Sequence, residues 1–413
     1  MKNWEKQRLE DCFKLKSGDG LTSKMMSEVG EYPVFGGNGI AGLHNEYNLS
    51  GSNVIIGRVG ALCGNVRHMK ENIWLTDNAF KITDFKFDFD HSFLTYLLNF
   101  KNLREFARQA AQPVISNSSL KDVILEFPKS LPEQQRIVTI LDEAFAAIAK
   151  AKANAEQNLK NAKELFESYL QGVFERKGDG WEEKTLKEVT TKIGSGATPK
   201  GGNESYKTEG ISLIRSMNVH DFKFRERNLA FIDDKQAKEL NNVTLEENDV
   251  LLNITGASVA RCCVIPKEYL PARVNQHVSI IRGKKEIIDP IFLNLLLTSK
   301  FYKDQLLFTG EQGATRQAIT KAQLEVFKIS FPKSLKTQQA IVQKLDALST
   351  ETKKLENIYQ QKINDLDELK KSVLQKAFSG ELSSPERALY NSEVATPLAA
   401  NDGHRPSKKR VSI

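Results

Sequence analysis

Few stretches of this chain have the residue types and spacing of a reaction centre. Gly194-Ser195-Gly196-Ala197-Thr198-Pro199-Lys200 has the glycines and the lysine to cradle a phosphate. Thr198-Pro199, however, falls where a helix would have to begin, so the run reads first as a turn. Gly283-Lys284-Lys285 lacks both the upstream glycine and the hydroxyl of a Walker loop. No HExxH or GxSxG occurs, and no paired-carboxylate spacing stands out. The Asn- or Asp-Pro-Pro-aromatic tetrapeptide that amino-methyltransferases place at a flipped base is also missing. Cys12, Cys63, Cys262 and Cys263 show neither CxxC spacing nor paired histidines, which argues against a zinc site and fits a reducing cytoplasm. By elimination the chain reads as a recognition and scaffold protein with no catalytic residues and no metal site.

Composition agrees. The 413 residues carry 59 basic and 52 acidic side chains, a net charge of +7. That excess permits nucleic-acid binding without demanding it. Nothing at the N-terminus resembles a signal peptide, and no apolar run approaches the roughly 18 residues of a membrane span. A cytoplasmic location is expected.

What must position any recognition residues is a unit that occurs twice. Phe127-Pro128-Lys129-Ser130-Leu131-Pro132-Glu133-Gln134-Gln135 returns 204 residues later, at position 331 for 127, as Phe331-Pro332-Lys333-Ser334-Leu335-Lys336-Thr337-Gln338-Gln339. Extended to Asp142 and Asp346, 11 of 16 aligned positions are identical. Each copy starts a long helix, with Ser130 or Ser334 as N-cap. Ser130 and Glu133 have capping-box spacing, which Thr337 breaks in the second copy. Apolar positions run Ile137, Leu141, Ala144, Ile148, Ala151, Ala155, Leu159, Ala162, Phe166, Tyr169, Val173, and then Ile341, Leu345, Leu348, Thr352, Leu355, Tyr359, Ile363, Leu366. Both are heptad seams that slip at matching places, 151–155–159 and 355–359–363. Read from Leu131 to Phe174 and from Leu335 to Phe378, two helices of about 66 Å are expected to lie against each other.

The fold class expected is therefore α+β: two α/β domains joined by two long antiparallel coiled-coil helices, an internal repeat with a pseudo-two-fold. Boundaries fall at 1–130 for the first domain, 131–176 for the first helix, 177–333 for the second domain, 334–380 for the second helix and 381–413 for a disordered basic tail. In the first domain strands are expected at 52–59 and 123–127, a helix from about Ser92 to Arg108, and glycine-rich turns at 36–42. The second domain repeats the first loosely: Trp181 and Leu186 match Trp4 and Leu9, and Asp249-Val250-Leu251-Leu252 before Gly256 matches Asn53-Val54-Ile55-Ile56 before Gly60. If the halves are so related, the end of the second helix belongs beside the N-terminal strand.

A Phe-Pro-x-Ser-Leu-x-x-Gln-Gln-x-Ile-Val start to each of two helices, each after an unlike α/β domain, resembles the specificity subunit of type I restriction–modification enzymes. Tyr32-Pro33-Val34-Phe35-Gly36-Gly37-Asn38-Gly39-Ile40, Thr76-Asp77-Asn78-Ala79, Gly194 to Pro199 and Arg273-Val274-Asn275-Gln276-His277 support the likeness. The resemblance implies that each domain is a target recognition domain for one half of a split double-stranded DNA sequence. The helix pair would set the gap and dock two methylation subunits, with restriction subunits beyond. It also implies that S-adenosylmethionine, ATP and Mg2+ belong to those partners, with no cofactor in this chain.

Arginine reads guanine, and Asn or Gln reads adenine, whereas phosphate contacts only position. Candidate DNA-binding residues near the turns are Asn38, Arg58, Asn65, Arg67 and His68, then Lys200, Arg215, Asn218, Arg261 and Arg316. Each competes with the plainer role of a solvated charge or a structural hydrogen bonder. Asn275-Gln276-His277 and Asp77-Asn78 align between domains, which favours bracing over reading. Candidate partner-binding residues are Gln134, Gln135, Gln338 and Gln339. The alternative to a DNA-specificity subunit is a non-catalytic coiled-coil scaffold binding protein partners.

Overall fold

The computed structural model describes residues 4–108, 112–311 and 317–383. Of the expected tail only the turn Glu381–Ser383 is included, and Arg316 also lies outside the described residues. The chain divides into two compact units. One holds the residues up to Asn154 and those from Lys362 onward, and the other holds Ala155–Gln361. Each unit contains one α/β domain and a segment of both long helices, Leu131–Arg176 and Leu335–Phe378.

In the first unit a four-stranded antiparallel sheet runs in the order Lys14–Ser17, Ala79–Thr83, Asn53–Gly57, Val66–Met69. The strand Asn53–Gly57 shows why. Val54, Ile55 and Ile56 are all buried, and side chains alternate across a strand, so both faces of the sheet must be covered. Val54 and Ile56 pack with Phe93, Leu97, Ile137 and Phe378 on the helical side. Ile55 packs on the other face with Phe35, Leu49, Ile73 and Leu75. A second sheet there has the order Gly39–His44, Tyr32–Gly36, Trp74–Leu75, its last pair parallel. Strands Trp4–Arg8 and Ile124–Pro128 pair separately, Trp4 opposite Pro128.

The second unit repeats this plan. Its four-stranded sheet runs Thr190–Ser195, Val278–Gly283, Val250–Asn253, Cys262–Val264, and its three-stranded sheet Ala230–Ile232, Ile211–Ile214, Ala272–Val274, again with a parallel last pair. Val250 and Leu252 join the helical core while Leu251 joins the opposite one. Trp181 stands opposite Pro332 as Trp4 does opposite Pro128. The hairpin Val219–His220 with Lys223–Phe224 is an addition without a counterpart among the described strands of the first unit.

The helix expected from Ser92 to Arg108 is shorter. It spans His91–Phe100, capped by the Asp90 carboxylate, which accepts the Phe93 N–H at 2.9 Å. Asn102 then turns left-handed (φ 48°, ψ 60°), and Leu103–Phe106 forms a 3-10 turn instead.

Within the first unit the helix segments are antiparallel. Lys152 Nζ lies 2.6 Å from Asp367, Lys370 Nζ sits 5.1 Å from the centre of the Phe145 ring, and Arg136 donates to the Leu382 carbonyl. Leu382 and Trp4 flank one core, so the end of the second helix does lie beside the first strand. In the second unit Phe166, Leu170 and Phe174 pack with Ile341, Val342 and Leu345. The expected seam holds at Ile137, Leu141, Ile148, Ala155 and Ala162 but departs at Tyr169, which is 44% exposed. Burial passes instead to Leu170 and Phe174, because Phe174 wedges against Phe292 of the short helix Pro290–Thr298 at a centroid distance of 5.4 Å. The first unit does the same with Phe378 and Phe93 at 5.6 Å. Leu355, placed in the second seam, is also exposed (37%).

Candidate nucleic-acid interface

In each unit several loops are bonded together beside the central strand of the four-stranded sheet. In the first, the Gly60 N–H donates to Pro113 O at 3.0 Å, Ile115 N–H to Arg58 O at 2.9 Å and Arg58 N–H to Asn78 O at 2.9 Å. In the second, Gly256 N–H donates to Gln317 O at 3.0 Å, Ile319 N–H to Ile254 O at 2.8 Å and Ile254 N–H to His277 O at 3.0 Å. The two braces are the same. Close backbone crossings complete them: a Cβ on Gly18 would lie 2.1 Å from Leu75 O, and one on Gly196 would lie 1.8 Å from Val274 O. That crossing accounts for a glycine inside the run 194–200 without any phosphate.

The sequence candidates distribute unevenly over this framework. Asn38 is exposed and its side-chain carbonyl accepts the Leu62 N–H at 2.9 Å, tying the hairpin turn Gly37-Asn38 to the next loop. Arg58 lies over the Phe80 ring (5.3 Å) and donates to Asp77 O at 3.2 Å, leaving its buried Nε unpaired. Arg67, on the strand Val66–Met69, likewise keeps a buried Nη1 without a partner. Asn65 and Lys200 are exposed. Asn65 and Arg261 are equivalent, since Gly57 N–H donates to Asn65 O and Asn253 N–H to Arg261 O, both at 2.9 Å. Arg215 lies 5.2 Å from the Tyr206 ring centre, donates to the Asn228 carbonyl and has an unpaired buried Nε. Buried polar groups are ordinarily satisfied, so three arginines that each keep a buried donor without a partner are notable.

Two candidates are structural instead. Asn218 is fully buried, its Nδ2 donating to Arg225 O at 2.8 Å and its Oδ1 accepting the Arg215 N–H at 3.1 Å. It braces a loop and presents nothing to a duplex. His68 is half-buried, with Nε2 2.8 Å from Ser52 Oγ and Nδ1 3.0 Å from Ser92 Oγ, and Ser52 Oγ also lies 2.8 Å from His91 Nδ1. Both ring nitrogens are engaged. Burial, then the nearness of His91 and Lys70, holds its pKa below the usual value.

Of the aligned residues, Asn275 braces: it is 4% exposed and accepts the His277 N–H at 3.0 Å. Its neighbour Gln276 is exposed and takes a hydrogen bond from Thr198.

The glutamines also divide. Gln134 is fully buried: Nε2 donates to Pro128 O at 2.9 Å and Asp88 O at 3.1 Å, and Oε1 accepts the Asp90 N–H at 2.8 Å. Gln338 is buried too, donating to Pro332 O at 2.8 Å and Ile287 O at 2.9 Å and accepting the Asp289 N–H at 2.8 Å. Gln134 and Gln338 therefore fasten each long helix to its own domain, and no part of them faces a partner. Gln135 and Gln339 are exposed.

Sequence reading missed the cations of the second unit's added loop. Lys223, Arg225 and Arg227 are exposed, and Arg225 and Arg261 come close enough to His220 to help burial depress its pKa. The sequence carried no signal for them: only the strand pairing shows that residues 215–229 of the second unit join strands that Gly37-Asn38 joins in the first.

A duplicated α/β domain carried on long helices, with one loop brace bearing different side chains in each copy, defines a two-headed recognition protein. The model of the family described as the type I restriction modification DNA specificity domain matches residues 1–160 and again 178–365. The chain belongs to this family. It is a DNA sequence-specificity subunit of the type I restriction–modification class, a non-catalytic component, and a protein-binding scaffold is not favoured. It is 30% identical over 172 residues to the EcoprrI specificity subunit of Escherichia coli, covering 39% of this chain and 42% of that protein. Against the MjaVIII specificity subunit of Methanocaldococcus jannaschii it is 22% identical over 409 residues, covering 92% and 93%. The fold matches the HsdS subunit from Thermoanaerobacter tengcongensis with a TM-score of 0.62 at 18% identity, covering 92% of this chain and 97% of that one. A chain from a type I R-M system solved for its complex assembly matches with a TM-score of 0.68 at 17% identity, covering 91% and 97%. Among the described residues no helix is long and apolar enough to cross a membrane.

Proposed function

We propose that each α/β domain reads one half of a split double-stranded DNA target, while the two long helices set the gap and dock two methylation subunits, with restriction subunits joining that assembly in the cytoplasm. The observation that carries this reading is the repeated loop brace. The same framework recurs in both units, yet the side chains mounted on it differ: Asn65 stands where Arg261 does, and Arg58 where Ile254 does. A common frame with different readers is what recognition of two unlike half-sites requires. Asn38, Arg58, Asn65 and Arg67 serve the first half, and Lys200, Arg215 and Arg261 the second. Gln135 and Gln339, exposed at the start of each helix, belong to the docking surface. S-adenosylmethionine, ATP and Mg2+ are assigned to the partner subunits. Methylome sequencing of a host carrying this chain with its methylation subunits tests the reading. A methylated motif of two defined parts around an undefined gap is expected, and a continuous motif would overturn it.

A further inference from the structure

We infer that the loop 215–229 of the second domain is the element that specifies its half of the DNA target, with Arg225 and Arg227 as base-reading residues that the first domain does not possess. This rests on the split-target reading above and assigns one half of it to one loop. The first domain joins the corresponding strands, Tyr32–Gly36 and Gly39–His44, by Gly37-Asn38 alone. The second domain spends a far longer segment there, and that segment is held from many sides. Buried Asn253 donates to Ser216 O at 2.9 Å and Val219 O at 3.3 Å, and Asn218 binds the Arg225 carbonyl from within. Phe222 N–H donates to Cys262 O at 3.1 Å, Asp221 is paired with Lys303, and Phe224 packs on Tyr269 at 4.5 Å. Phe222 holds a positive φ of 60° and meets Phe166 of the first long helix edge-on at 5.8 Å. A bulky residue keeps such a backbone only where its surroundings impose it.

So many anchors make a stiff loop, and what the loop leaves free is cationic. Lys223, Arg225 and Arg227 are exposed, and among the described residues none of them, nor Arg261, has an ion pair. Glu226, between the two arginines, lies near enough to Tyr269 to raise the pKa of its hydroxyl, after burial. Met217, 42% exposed on the same loop, offers an apolar surface of the kind that meets a thymine methyl. Guanidinium groups on a pre-ordered backbone suit guanine O6 and N7, since little ordering entropy remains to be lost on binding.

The test uses the full chain with its methylation subunits and reads the methylome of the host. Arg225→Ala and Arg227→Ala, singly, are expected to relax one or more base positions by about tenfold in one half of the motif only, leaving the other half intact. Both positions are exposed, and an unchanged thermal melt of the purified chain verifies the fold. Two outcomes would overturn the inference. One is an unchanged motif. The other is an unchanged motif methylated less completely, as loss of a phosphate contact would give. Failure of the split-target reading looks different, because the unsubstituted chain would then give no two-part motif at all.

Discussion

The side chain of Gln134 accepts the Asp90 N–H at 2.8 Å, and the Asp90 carboxylate in turn caps the short helix at Phe93, so one glutamine ties the start of a long helix to the start of a short one. Gln338 and Asp289 repeat the arrangement, with Asp289 capping at Ile291 and Phe292. Since the amides are buried, removing either glutamine leaves backbone groups unmet. Gln134→Ala should lower the stability of the first unit, and Gln338→Ala that of the second, by about 1–3 kcal/mol. Urea unfolding followed by hydrogen exchange, which resolves the units, measures this. Equal loss in both units from one substitution would refute the local role.

A second consequence concerns pH. His68 and His91, joined through Ser52, are both held below their usual pKa, chiefly by burial. Asp90 opposes that shift in both, and Lys70 adds to it for His68. A histidine disfavoured as a cation in the folded state stabilises fully above its unfolded pKa of about 6.5. That stability is lost as pH falls from there toward the folded value. Urea midpoints measured at pH 7.5 and 5.5 should therefore drop for the first unit, and His68→Asn with His91→Asn should flatten the drop. An acid loss as large as in the unsubstituted chain would exonerate the pair.

If the helices set the gap, their length should be read out in base pairs. A heptad inserted into both, after Asn154 and after Gln361, preserves the seam and adds about 10 Å. At about 3.4 Å per base pair, the undefined gap in the methylated motif should lengthen by about three. Retention of the original gap would show that something other than the helices fixes it.

The long helices were legible because apolar residues at steps of three and four persist over many turns, and that signal survives any tertiary context. So was the division into matching domains. The end of the helix at Phe100 was not, because the break lies in Asn102 taking a left-handed backbone, and the apolar pattern runs on past it to Phe106. Tyr169 failed likewise: a seam read from one helix does not know that Phe292 draws Phe174 inward. The Gln-Gln pair was misread by half, since a polar residue repeated at a helix start looks like surface whether its amide meets solvent or buried carbonyls. Asn218 belongs to the same class. Arg225 and Arg227 went unnoticed because only the pairing of strands shows that residues 215–229 replace a tight turn.

If the two domains are independent reading heads on a common mount, duplicating one of them should duplicate its half-sequence in the target. Matching registers of Trp4 with Pro128 and Trp181 with Pro332 mark where to exchange them. A chain carrying the first domain, 4–128, in place of 181–332 should assemble with its methylation subunits and methylate a motif whose two parts are the same half-sequence. Persistence of the original unlike halves would contradict the account.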